Sequence, residues 1–368
     1  MDISPLAWLE ESGRMVVRAA RVRLDGFRQY PGDAREICSR VVRDCWNGAY
    51  LQTSTGHFTS FFSRDFGICA PHLMKLGYQK EVLRTLEHAM QRYLAAGRIA
   101  TTVTPSGRVV DIYAYGPDSL AFLLHSLRVA DAQDLVAFHR EFLEKEITRC
   151  HRLVWDAERG QVKSGIFFTS MKDHAKRSSS LYDNVMVAFT ARNLDALGLP
   201  NPWKGVDFDA LVERFWTGDH YLDDLQSSHI AGDANIFPFW TEVVKSRKKL
   251  KSALSVVREA GLDSPLPLRY TNEKPKHLTL LDKFAPNYEG TTVWAHIGML
   301  YIEVLATVDP KLAREHLGRY ARLIEKYRTF VELFAPDETP YRSLFYYADE
   351  GMLWAAMFLG ISQALSAR

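Results

Sequence analysis

The sequence predicts an all-α chain. Apolar residues recur at helical spacing along most of the 368 residues, and strand-like alternation is confined to two short stretches. Long polar and aromatic connections also recur between the helices, which suggests how they are arranged. Hydrophobic residues make up 47% of the chain, enough for a large buried core in one unit.

The elements follow in order. Arg35–Trp46 and Phe66–Lys75 read as early helices. Glu81–Leu94 sets Val82, Leu83, Leu86, Ala89, Met90 and Tyr93 on one face, opposite its charges. Arg98–Ile112 reads as a β-hairpin turning at Pro105-Ser106-Gly107, and Lys163–Thr169 as a second short strand region. Pro117–Val129 opens with Pro and Asp, as helices do, and Gln133–Cys150 ends in basic residues. Tyr182–Leu197 stops at Gly198, with Pro200 just beyond. Phe208–Trp216, Thr241–Ala260, Thr292–Thr307, Pro310–Leu333 and Asp349–Leu365 complete the series.

The long connections are Thr53–Asp65, Arg98–Pro117, Glu158–Leu181, His220–Phe239, Leu266–Thr291 and Asp337–Ala348. Structured connections of this length are where function concentrates. Paired helices with such connections on one face suit a closed (α/α)6 toroid of six helical hairpins. No Gly/Ser linker interrupts the chain. One domain over 1–368 is expected, with 1–30 as an extension packing on it.

Lys and Arg number 46 against 44 Asp and Glu, a net charge of +2. That balance leaves no electrostatic footprint for nucleic acid or an anionic membrane. The one basic run, Lys245–Lys251, reads as a solvated helix face. Cys38, Cys45, Cys69 and Cys150 form no CxxC pair and read as reduced, mostly buried thiols. Met1–Arg14 has no basic start followed by an apolar run, and no stretch approaches ~18 apolar residues, so a cytoplasmic protein is expected. A Walker A loop, GxGxxG, HExxH and GxSxG are all absent, and no metal or cofactor is expected.

The connections pair carboxylates with aromatics. In Phe61-Phe62-Ser63-Arg64-Asp65-Phe66, an Arg and an Asp at a helix start can serve a polyol as donor and acceptor; the alternative is an ion pair or cap. Asp118 follows Tyr113, Tyr115 and Gly116-Pro117 in the first turn of a helix. The dipole favours Asp there, and an acid role needs burial or a second carboxylate to raise it. Tyr182-Asp183-Asn184 opens another helix, where capping is the competing explanation. Gly232-Asp233-Ala234-Asn235 serves a substrate hydroxyl or a structural turn. Glu289 precedes Gly290, with Trp294 and His296 beyond; Trp294 is a stacking platform or a core residue. Asp349 and Glu350 adjoin at a predicted helix start, so at most one need face a cavity.

In order and spacing these segments resemble six-hairpin-barrel glycosidases over about residues 45–365. The likeness is nearest the glucosidase domain of glycogen-debranching enzymes, with glucoamylase, processing α-glucosidase, trehalase and neutral invertase further off. It rests on Ser63-Arg64-Asp65, Gly116-Pro117-Asp118-Ser119-Leu120, Glu289-Gly290-Thr291-Thr292-Val293-Trp294, and Glu350 ahead of Trp354. The resemblance implies an inverting, exo-acting glycoside hydrolase on a small α-glucoside or glucan end. Asp118 stands at the general-acid position and Glu350 near the general-base position, with Asp349 or Glu289 as alternatives. Arg64 and Asp65 would hold the terminal sugar, and Trp294 would stack on it. Tyr115, Asp183, Glu289 and Asp349 complete the expected binding set. The partner is then a small carbohydrate.

Two other classes compete. A sugar epimerase, isomerase or lyase on the same barrel would draw its base from His57, His72, His174, His229 or His296. A non-catalytic binding protein is the third, though no repeat of 34 or 40 residues supports a solenoid.

Overall fold

Local chemistry explains several helix ends. The computed structural model describes residues 5–275 and 277–367. Helix α1 spans Pro5–Asp25 and α2 Ala34–Asp44, where Asp33 and Glu36 form a capping box. Then come α3 (Ser63–Lys75), α4 (Gln79–Ala96), α5 (Pro117–Val129), α6 (Gln133–Phe138), α7 (Arg140–Val154) and α8 (Leu181–Ala196). They are followed by α9 (Phe208–Glu213), α10 (Gly232–Trp240), α11 (Arg247–Glu259), α12 (Ala295–Leu305), α13 (Pro310–Tyr327) and α14 (Ala355–Ser366). Ser180, Ser246 and Asp309 cap α8, α11 and α13 through their side-chain oxygens. Gly97 ends α4 in the left-handed region at φ 66.

The strands are two residues each. β1 (Phe61–Phe62), β2 (Thr102–Val103) and β3 (Val109–Val110) form an antiparallel sheet. β4 (Trp155–Asp156) pairs with β5 (Gln161–Val162), and β6 (Val293–Trp294) with β7 (Leu333–Phe334).

The helices divide into two kinds. Helices α5, α8, α10, α12 and α14 are buried on nearly every face. Helices α4, α11 and α13 bury one stripe and expose the rest. A helix apolar all round must be enclosed, so the first kind lies inside. Its members and α3 touch in a closed cycle: α3 on α5, α5 on α8, α8 on α10, α10 on α12, α12 on α14 and α14 on α3. Outside them, α4 packs on α3, α7 on α5, α9 on α8, α11 on α10, α13 on α12, and α2 on α13 and α14. Their buried side chains form one continuous apolar cluster. The four cysteines are free and buried within it. Among the described residues, no helix is long and apolar enough to cross a membrane.

Several boundaries differ from expectation. The predicted Gln133–Cys150 helix breaks at His139, whose ψ of 15 ends α6 and starts α7; the helical period survives a one-residue break, so the pattern does not reveal it. Lys163–Thr169 is irregular, and the strand lies just before it at Gln161–Val162. Thr241 ends one helix instead of opening another: α10 closes before it, Glu242 takes φ 56, and Ser246 caps α11. The Thr292–Thr307 helix starts only at Ala295, because Val293 and Trp294 pair as a strand with Leu333 and Phe334. Pro310–Leu333 ends at Tyr327, where Arg328 turns left-handed at φ 54. Asp349 and Glu350 precede α14 rather than opening it. Their N–H groups donate to the Glu332 and Asp349 carboxylates, and Gly351 then turns at φ 63.

Candidate active site

The interhelical connections converge on a cavity of about 370 Å³. Its walls come from Thr53, Phe58 and Phe62, from Ile112 and Tyr113, from Met171, Asp173 and His174, from Tyr270, Phe284, Ala285, Tyr288 and Glu289, and from Phe345 and Tyr346. The connection His220–Phe239 contributes nothing to the lining. One side is closed by α1, through Ser12, Met15 and Val16.

Arg64 and Asp65 occupy the first turn of α3 and both face the cavity. The dipole at this helix start favours the Asp65 carboxylate, which accepts a hydrogen bond from Trp354 Nε1 at 3.1 Å. Burial raises the Asp65 carboxyl, and the Arg64 charge partly offsets that. Arg64 Nη1 lies 3.2 Å from Asp118 Oδ2. Burial works against its charge, but Asp118, Asp65 and Asp173 outweigh it and keep the guanidinium protonated.

Asp173 sits in the loop before α8. Met171 enters it in the left-handed region at φ 55, an uncommon conformation for a side-chain-bearing residue. Met171 is pinned by Tyr270 Oη donating to its carbonyl at 2.9 Å. Lys172 turns the other way, fully buried, with Nζ 2.9 Å from Asp223 and 2.8 Å from Asp233. The opposed directions of neighbouring side chains leave Asp173 facing the cavity. Glu289 accepts the backbone N–H groups of Asp173 and His174 on its two oxygens. Burial, then the Glu289 charge, pushes Asp173 up to about 7, and its sealed Oδ1 has no hydrogen-bond partner. Burial also pushes Glu289 up to about 7 against the two N–H donors.

Glu332 also lines the cavity; it follows the apolar pair Phe330-Val331 and precedes β7. It accepts hydrogen bonds from Tyr288 Oη at 2.8 Å, from Tyr346 Oη at 2.6 Å and from the Asp349 backbone N–H at 2.7 Å. Burial, then the Asp349 charge, pushes it up to about 7. The Tyr288 ring also packs on His174, 5.2 Å between centroids, and so spans from the Asp173 loop to Glu332. Trp294 stands edge-on to Tyr288 at 4.8 Å, and the His296 and Trp354 rings lie 4.5 Å apart. Burial lowers both His174 and His296, leaving them neutral at pH 7.

Of the residues expected from sequence, Arg64, Asp65, Glu289 and Trp294 meet at the cavity, where Trp294 donates its Nε1–H to the Tyr288 carbonyl at 2.9 Å. His174 and His296, named as candidate bases, line it too, whereas Asp118, Tyr115, Asp183, Asp349 and Glu350 do not. Asp118 is wholly buried behind Arg64 and also accepts from Tyr182 Oη at 3.0 Å. Tyr115 lies under the Arg149 guanidinium, 5.2 Å from its centroid. Asp183 is bound to the hydroxyls of Ser170 and Ser180 in the first turn of α8. Asp233 is consumed by Lys172 and Arg177, and Asn235 by the Tyr221 backbone.

Asp349 and Glu350 tie α1 to the fold. Arg18 Nε is 3.0 Å from Asp349, and Arg21 pairs with Glu350, which also accepts the Arg28 N–H at 2.8 Å. Burial works to raise the Asp349 carboxyl. His57, Arg18, Ser54 and the Phe58 N–H outweigh it and hold the carboxyl low. Gly56 is required beside it, because a Cβ there would meet Asp349 Oδ1 at 1.8 Å.

Asp173 and Glu332 carry no motif and were not singled out from sequence. For Glu332 a signal exists: one acid within the apolar run Phe330–Phe334 marks a carboxylate that burial must accommodate. Among the described residues, no group of His, Cys, Asp and Glu forms a metal-holding cluster.

No family model and no curated protein matches the sequence. Solved structures match in fold. A glycosidase variant in complex with glucose is 15% identical, with a TM-score of 0.62 over 100% of this chain and 99% of that one. A GH63 mannosylglycerate hydrolase from Thermus thermophilus, in complex with Tris and D-glycerate, is 10% identical, with a TM-score of 0.61 over 90% of this chain and 100% of its own. A rhamnosidase from Klebsiella oxytoca with rhamnose bound is 13% identical, with a TM-score of 0.61 over 92% of this chain and 65% of its own. At these identities the likeness is one of fold.

Proposed function

We propose that this chain is a glycoside hydrolase acting on a small glucoside by direct, inverting displacement. In this proposal the closed cycle of six inner helices is the inner ring of an (α/α)6 toroid, the whole chain is one catalytic domain, and the cavity is its active site. One observation carries it above the rest: Asp173 and Glu332, from different connections, face one aromatic-lined cavity, and both are pushed up to about 7. Hydrolysis with inversion needs one protonated carboxyl and one ionised carboxylate on opposite sides of the bond.

The roles follow from the surroundings of each group. Asp173 lines the cavity and has a neighbouring carboxylate that favours its proton, so it is the general acid, protonating the glycosidic oxygen. Three donors converge on Glu332 and can hold its charge, so it is the general base. It takes a proton from the water that attacks the anomeric carbon. Arg64 and Asp65 bind hydroxyls of the terminal sugar, and Trp294 and Trp354 offer it apolar faces. Asp173 and Glu332 thus replace Asp118 and Glu350, which lie behind the cavity wall. Fold neighbours with glucose and rhamnose bound support a sugar ligand, and a cavity walled off by α1 favours attack at a chain end.

The test is incubation of purified protein with α- and β-glucosides, reading the released sugar by NMR before mutarotation. Inverted product, lost in Asp173→Asn, is the expected result. Retained configuration, or full turnover by that variant, would overturn the mechanism. A sugar epimerase is the second reading, because His174 and His296 both line the cavity as neutral bases. It predicts isomerised free sugar with no hydrolysis in the same spectra.

A further inference from the structure

The cavity changes character from its floor to its mouth. Among the described residues, the charged side chains that line it, Arg64, Asp65, Asp173, Glu289 and Glu332, are all buried or half-buried and make its floor. Glu289 and Glu332 are 3% and 1% exposed. The mouth is formed by Val16, Phe284 and Phe345, which are 46%, 61% and 48% exposed, with Met15 and Ile112 beside them. The Phe284 and Phe345 rings face one another with centroids 6.4 Å apart.

Large apolar side chains left in water at the rim of a polar site are not explained by packing. Among the described residues, the strongly exposed phenylalanines are Phe138, Phe284 and Phe345, and only Phe138 lies away from the cavity. Among the described residues of the lining, no charged group stands with Val16, Phe284 and Phe345 to meet an anion, and Ser12 is the one hydroxyl that α1 brings to it. Arg64, the only Lys or Arg among the described residues of the lining, is engaged by Asp118. An anionic or polyhydroxylated leaving group would forfeit hydrogen bonds to water there and gain few in return.

We propose that the mouth is an aglycone subsite for an apolar alcohol, so that the substrate class is alkyl or aryl glycosides. The inference rests on the glycoside hydrolase reading: the sugar occupies the charged floor, and the leaving alcohol lies against Val16, Phe284 and Phe345. Asp173 gives its proton to the oxygen that leaves with the alcohol, and the hydroxyl from water stays on the sugar.

The experiment compares glucosides of one anomeric configuration carrying methanol, n-hexanol, benzyl alcohol, glyceric acid or a second glucose. Methanol, hexanol and benzyl alcohol are similar as leaving groups, so a difference in kcat/KM among them reports binding at the mouth. The hexyl or the benzyl glucoside should exceed the methyl glucoside at least about tenfold, and which of the two leads tells alkyl from aryl. Val16→Asn and Phe345→Ser should each lower the hexyl-to-methyl ratio at least about threefold. Equal rates for methyl and hexyl, or a preference for the glycerate or the disaccharide, would overturn the apolar subsite while leaving the hydrolase intact. If no glucoside is cleaved, the hydrolase reading fails. Titration of tryptophan fluorescence then decides the mouth separately, and equal affinity for methyl and hexyl glucoside would overturn it.

Discussion

Glu289 holds the backbone of Asp173 in place: one carboxylate oxygen accepts the Asp173 N–H and the other the His174 N–H, both at 2.6 Å. The same carboxylate, through its charge, helps keep the Asp173 proton on. Glu289→Gln should therefore act in two ways. Its amide NH2 cannot accept, so one N–H is orphaned and Asp173 shifts; kcat should fall by about a hundredfold. With the negative charge gone, the Asp173 pKa should drop, and the alkaline limb of the kcat/KM profile should move to lower pH. A loss of rate with an unmoved limb would mean that Glu289 only shapes the loop.

The proposed acid must be protonated and the proposed base ionised, and both groups titrate at about 7. Activity should rise as Glu332 ionises and fall as Asp173 does, giving a narrow bell centred near pH 7. Asp173→Asn should cost about a thousandfold in kcat. Glu332→Gln should cost a similar factor. A pH-rate profile of each variant should lack one limb of the bell.

Asp118→Asn should behave differently from Asp173→Asn. Asp118 is the buried counter-charge of Arg64, so the variant leaves a guanidinium less well paired and should lose about 3 kcal/mol of stability. Substrate binding through Arg64 should weaken, raising KM, while both limbs of the bell persist. Denaturant unfolding and a pH profile together separate this from the loss of a proton donor.

Glu350→Gln should loosen α1 and leave the chemistry in place. The variant weakens the pairings with Arg21 and Arg18. Arg21 is half exposed, so a modest loss of about 1 kcal/mol is expected. Protease cleavage within α1 should quicken, and kcat on a methyl glucoside should stay within about threefold of the parent. A thousandfold fall in kcat, as in Asp173→Asn, would return Glu350 to the role of base.

Stability should fall between about pH 4 and pH 7. The carboxyls of Asp173, Glu289 and Glu332 are raised to about 7, against about 4 in the unfolded chain. Across that window the unfolded chain releases protons that the folded state keeps, so rising pH favours unfolding; above pH 7 the effect is complete. Asp349 and Asp223, held low, act in the opposite sense and lose their contribution only as pH falls below about 4. Thermal unfolding should show a maximum near pH 4, and Asp173→Asn should be more stable than the parent at pH 8.

Much of the architecture was legible because helix formation is written locally. Pro117–Val129 was read to the residue, since Gly116-Pro117 starts it and its apolar content continues without interruption. The Arg98–Ile112 hairpin was legible from its Pro-Ser-Gly turn, though it gains a third strand from Phe61–Phe62 that no local pattern predicts. Arg64, Asp65 and Glu289 stood out in sequence because each lies beside aromatics in a long connection, and folding brings them to the cavity with Trp294.

Spacings within about twenty residues were thus enough to set the helical class, the order of the helices and the long connections, five of which line the cavity. Which carboxylates meet was decided at long range, by folding. Asp118 and Glu350 stand beside promising motifs, yet Arg64 screens one, and the arginines of α1 claim the other from more than three hundred residues away. Asp173 and Glu332 stand in sequence without a motif and face one cavity across the Tyr288 ring. The reason is physical: a carboxyl's acidity depends on its burial and on the charges around it. Those neighbours come from other connections, so no stretch of chain contains the information alone.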